Sequence, residues 1–156
     1  MGRTGTGHAP GGVLIGRGRR MLALADVVQR IRDQVPAARI VAHGLEADVP
    51  ARTPAVYVYP LAEDSEPPAA LGPVIQRAVV RIASEIIVTA ARSPRRGEGA
   101  ADELEAVRGE LMAALAGWQP AWADEPLEHR QGRLVQLEAG WASWRDEWET
   151  RVTRGI

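Results

Sequence analysis

The chain has 156 residues, a hydrophobic fraction of 46% and a formal net charge of -1, enough for one domain with a real core and too balanced to favour nucleic acid or membrane electrostatically. It has no cysteine, and all 19 basic residues are arginine, which excludes disulfides, thiolate metal sites, cysteine and lysine nucleophiles, Schiff-base chemistry and the P-loop lysine. No apolar run approaches the ~20 residues that span a bilayer, and the N-terminus lacks the apolar stretch of a secretory signal, so synthesis in the cytosol and no membrane partner are expected.

Residues 1–20 hold seven glycines and four arginines. Such a segment buries too little apolar surface to offset its ordering entropy. It reads as a flexible arm ahead of a single domain over 21–156, and translation from Met21 would still give that domain complete. Leu24, Val27, Val28, Ile31 and Val35 have helical spacing, and Pro36 stops the helix. Asp26 and Arg30 are placed for an i,i+4 pair on its other side. Arg39 to Ala42 reads as a short strand. Ala55 to Tyr59 reads as a second strand closed by Pro60, followed by an acidic loop with Glu63, Asp64 and Glu66.

Pro73 to Arg92 is the clearest strand. Ala78, Val80, Ile82, Ser84, Ile86 and Val88 share one face and suit a core. Arg77, Val79, Arg81, Ala83, Glu85 and Ile87 share the other, a mixture that a strand touching another subunit would show. A basic loop follows, with Arg92, Arg95 and Arg96. Asp102 to Leu115 reads as a second helix with Leu104, Val107, Leu111 and Leu115 on its core side and Gly117 as its stop. Asp102 and Glu105 resemble a capping box at its start.

All five tryptophans lie in the last 39 residues. Because aromatics bury more area than other side chains, this third is the heavy part of the core, an assembly surface, or both. Trp141, Trp144 and Trp148 would suit a helix, but alternation favours a strand. Trp144, Asp146, Trp148, Thr150 and Val152 then share one face, with Trp144 and Trp148 as core candidates, and the other face is wholly polar. Asp146 is the misfit on the apolar side. Gly140 is a natural turn from Leu134–Leu137 into this segment. The order α-β-β-β-α-β-β predicts an α+β fold: a mainly antiparallel sheet of four to five strands with two helices on one face.

Residue types that carry chemistry are sparse. His8, His43 and His129 are scattered, no Gly-x-Ser-x-Gly elbow occurs, and the glycine pairs Gly5/Gly7 and Gly16/Gly18 follow no strand. The basic loop has no stacking aromatic beside it. The acidic loop and the basic loop flank the long strand at opposite ends, so in a ring one subunit's acidic loop would face its neighbour's arginines. With Arg77 and Arg81, these residues are the candidate contact set.

Leu104–Arg108, Leu115–Pro120, Pro126–Glu128 and Gly132–Leu134 up to Trp144 and Trp148, together with Pro54–Pro60 and Gln76-Arg77, resemble bacteriophage tail terminator proteins. The likeness covers about residues 22–153 by element order, and Trp141 and Ser143 depart from the more continuously apolar strand of such proteins. It implies a structural virion protein at the tail-neck junction, assembled in the host cytoplasm, with no catalytic residue, metal or cofactor. Such proteins form a hexameric ring on the finished tail tube, stop its polymerisation and present a surface to the head connector. The implied partners are further copies of the chain, the tail tube protein and a head-tail connector or stopper protein. DNA would pass the central hole without specific binding. Duplex DNA carries one charge per ~1.7 Å of axis, so a lumen rich in arginine would hold it. Carboxylates are therefore expected to outnumber arginines on that wall, with the acidic loop and Glu103, Glu105 and Glu110 as candidates. Two other readings stay open: another neck or tail-completion component, and a small nucleic-acid-binding regulator that uses the basic arm.

Overall fold

The computed structural model describes residues 24–44, 50–68, 75–89, 96–138 and 140–155. The arm over 1–20 lies outside them. Seven elements follow in chain order: α1 (Ala25–Gln34), β1 (Ile40–His43), β2 (Ala55–Ser65), β3 (Ile75–Thr89), α2 (Arg96–Leu115), β4 (Glu128–Glu138) and β5 (Trp141–Gly155). The strands form one sheet in the order β1-β2-β3-β5-β4. Every pairing is antiparallel except β1 with β2, which is parallel. The fold is α+β, with the expected element order.

Both helices pack on one face of the sheet and against each other. Alternation along β3 and β5 builds that face. Val80, Ile82, Ile86, Val88, Trp148 and Val152 are buried there beneath Val27, Val28 and Ile31 of α1 and Val107, Leu111 and Leu115 of α2. Trp148 is the largest fully buried side chain, and its indole N–H donates to Ser84 Oγ at 3.0 Å. That bond satisfies the indole donor and the serine hydroxyl in the dry layer.

The hairpin joining β4 and β5 turns at Gly140, whose φ of 90° is left-handed. Gly117, at φ 79°, ends α2 in the same region, and its N–H donates to Leu127 O. A side chain at either position would strain the turn.

Four expectations need correction. Asp26 and Arg30 do not serve α1 as a surface pair. Asp26 accepts from Trp122 Nε1 at 2.9 Å, and Arg30 donates to Ala114 O while its guanidinium lies over the Trp118 ring. Both fasten α1 to the end of α2. Second, α2 begins at Arg96, so Asp102 and Glu105 lie inside the helix and form no capping box. Third, β2 does not close at Pro60 but continues to Ser65 through an irregularity between Pro60 and Ala62. Beyond Val58 the outer side of β2 has no strand partner among the described residues, and the irregularity falls next to the proline, both settings in which a strand tolerates one. Glu63 and Asp64 therefore sit on a strand rather than in a loop. Fourth, β4 starts at Glu128, well before the apolar Leu134–Leu137 that marked it.

Candidate assembly surface

The misfit Asp146 explains how β5 is fixed. Its side chain is 0% exposed, on the helix side of the sheet. Arg108 of α2 donates Nε and Nη2 to it at 3.0–3.2 Å, and His129 Nε2 lies 2.8 Å from Oδ1. A carboxylate only accepts, so the histidine N–H donates. Pairing and hydrogen bonding together offset the cost of burying the charge. The Arg108 guanidinium also lies 5.0 Å from the Trp144 ring centroid, and His129 meets Trp148 edge-on. Gly132 of β4 makes room for this group. A Cβ there would come within 2.5 Å of Asp146 Oδ1 and 2.9 Å of Arg108 Nη2.

Among the described residues, no helix covers the opposite face of the sheet. Its rows are polar: Arg81 donates to Glu149 at 3.2 Å, and Tyr59 donates to Glu85 while accepting from Arg145. Burial raises the Tyr59 pKa, against the opposing hydrogen bond from Arg145. The bond to Tyr59 in turn raises that of Arg145 and keeps its guanidinium charged. Tyr57, Tyr59, Glu85, Gln136, Trp141 and Ser143 line a concavity of about 420 Å³ on this side. Its lining offers charged and amphipathic groups suited to contact with another protein.

Along an edge of the sheet that is free among the described residues, β4 exposes Leu134 at 48%, Val135 at 44% and Leu137 at 73%. The ladder skips Val135, while Leu134 pairs with Trp144 and Leu137 with Ala142. Leu137 also borders an apolar groove with Val88, Ala101, Leu104 and Trp141 at the start of α2. Solvent-exposed apolar side chains on an unpaired edge are what native sheets avoid unless a partner covers them. Sequence reasoning did not single out this edge. Glu128–Gln131 is wholly polar and hid the strand's first half.

The residues proposed from sequence fall in different places. Glu63 pairs with Arg154, whereas Asp64 and Glu66 are exposed at the end of β2. Arg77 is exposed on β3, and Arg81 is held by Glu149. Arg92 and Arg95 lie outside the described residues, and Arg96 opens α2 instead of belonging to a loop. Glu103 and Glu105 are exposed on α2. Glu110 is not a free surface acid: it is half-buried and accepts the Ala37 backbone N–H at 3.0 Å, tying α2 to the turn after α1. Of the core candidates, Val107, Leu111 and Trp148 are fully buried, and Leu104 and Trp144 are half-buried.

Comparison with known proteins adds family and fold. A chain from a structure titled "Virion of native gene transfer agent (GTA) particle" is similar in fold, with a TM-score of 0.55 and 17% identity over 85% of this chain and 99% of that one. No curated protein sequence matches significantly. The profile of the phage tail terminator proteins matches residues 19–156, from the end of the arm to the last residue. The chain therefore belongs to the phage tail terminator protein family and is a structural component of a phage tail.

Proposed function

We propose that the chain caps the completed tail tube as a ring of six copies, stops tube polymerisation and supplies the surface onto which the head is joined. The observation that carries this reading is the family match over residues 19–156. The architecture supports it in two ways. A small subunit that builds a ring gives much of its surface to neighbours, since obligate interfaces commonly bury ~2,000 Å² or more. Among the described residues, this sheet has one face without helices and a free edge bearing leucine and valine. In addition, the buried charge Asp146 is occupied in fixing strands through Arg108, which points to a structural rather than a chemical role for it.

In this reading the partners are neighbouring copies, the tail tube protein and a head-tail connector or stopper, with DNA crossing the lumen unbound. Exposed Glu103 and Glu105 on α2 and Asp64 and Glu66 at the end of β2 are the proposed lumen or contact carboxylates, and Arg77 and Arg81 belong to the contact set. The deciding experiment adds the purified chain to growing tail tubes and images the ends. The expected result is arrested growth and a ring with a central hole, free of strongly basic lining, at one tip. Binding to portal-side proteins but not to tubes would replace this reading with the neck-component one. DNA binding that falls steeply with salt and disappears on deletion of residues 1–20 would replace it with the regulator.

A further inference from the structure

We infer that neighbouring copies join edge to edge, with β4 of one subunit meeting the outer side of β2 in the next. This rests on the ring reading and names the surfaces that build it. Among the described residues, the sheet has two unlike free edges on opposite flanks. One is β4, which pairs only with β5. The other is the second half of β2, because β1 pairs with Ala55–Val58 alone and leaves Tyr59–Ser65 without an outer strand. Two different, complementary patches on opposite sides of one subunit are what a head-to-tail ring requires, whereas a two-fold dimer would bring like patches together. Strand direction agrees. Each step from β2 to β3, β5 and β4 is antiparallel, so β4 runs opposite to β2, and a sheet continued across the boundary pairs them antiparallel.

Side chains on the two flanks complement each other. On β4, Arg133 stands directly across from Arg145, a like-charge placement that a carboxylate from outside would relieve. Arg145 already has Glu147 beside it at 3.6 Å, but Arg133 has no ion pair among the described residues. On the β2 flank, the carboxylates of Asp64 and Glu66 are exposed and make no ion pair among the described residues. The exposed Leu134, Val135 and Leu137 supply the apolar part, extended by the groove beside Leu104 and Trp141. A second copy thus covers the leucines, completes backbone pairing along the edge and brings acids to Arg133.

The test is native mass measurement of the full chain, first at rising concentration and then bound to purified tail tubes. The variants are Arg133→Glu, Leu137→Glu and Arg133→Glu combined with Asp64→Arg, all at exposed positions, with melting curves to confirm folding. Wild type is expected to assemble, each single variant to lose at least tenfold in assembled fraction, and the charge-swapped pair to regain most of it. Wild-type assembly by both single variants overturns this contact and leaves the ring reading standing. A wild-type chain that remains a single copy in both settings overturns the contact and the ring together.

Discussion

At the scale of single residues, Asp146 shows how a polar side chain can organise an apolar layer. It is fully buried, and Arg108 and His129 satisfy it from α2 and β4. Removing Arg108 strands the carboxylate with a single donor in the dry interior. Losing one partner of a buried pair typically costs about 3–5 kcal/mol, far more than breaking a surface pair. Arg108→Ala is therefore expected to destabilise the fold by about that amount in chemical denaturation. A loss below ~1 kcal/mol would mean that water replaces the guanidinium freely. In the sequence, Asp146 was visible only as an acid on an otherwise buried face. Its partners stand 38 and 17 residues away, and no local spacing points to either.

Among the elements, β3 and β5 were legible because strict alternation separates a wet face from a dry one. Their pairing was not, since ladder order depends on which strands meet, and β5 enters between β3 and β4. The first halves of β4 and α2 were hidden for opposite reasons. Glu128–Gln131 carries no apolar residue, and the glycines Gly97 and Gly99 mask the helix start. The extension of β2 past Pro60 contradicts the usual weight of proline as a strand stop, and the irregularity beside it, at an edge left unpaired among the described residues, is where sheets tolerate one. The free edge of β4 is a product of strand order and so could not be read locally. Gly132 ties element to site. Gly132→Ala would push a methyl against Asp146 and Arg108 and displace β4 from β5. We expect a loss of about 1–3 kcal/mol, typical of overpacking, read as a lower denaturant midpoint. An unchanged midpoint would show that the strand shifts at no cost.

For the molecule as a whole, two helices, the five-stranded sheet and the Trp148-centred core lie within the described residues between 24 and 155. The family profile begins at residue 19. Deleting residues 1–20 is accordingly expected to leave the melting curve unchanged, and a fall of several degrees would show that the arm contributes to the fold. Several charged side chains fix strands, as Arg108 does through Asp146, and among the described residues three of the four large exposed apolar side chains, Leu134, Val135 and Leu137, gather along the β4 border.

That border also makes the lone subunit its own hazard. The first half of β4 is guarded by charge, but its second half exposes Leu134, Val135 and Leu137 on an open sheet edge without a proline, which invites sticking to whatever strand drifts past. If copies assemble as proposed, solubility should therefore be poorest for those waiting to be used and best for those already in place. Under the proposed ring, stockpiling the free chain would work against assembly, and prompt consumption of each copy would serve it.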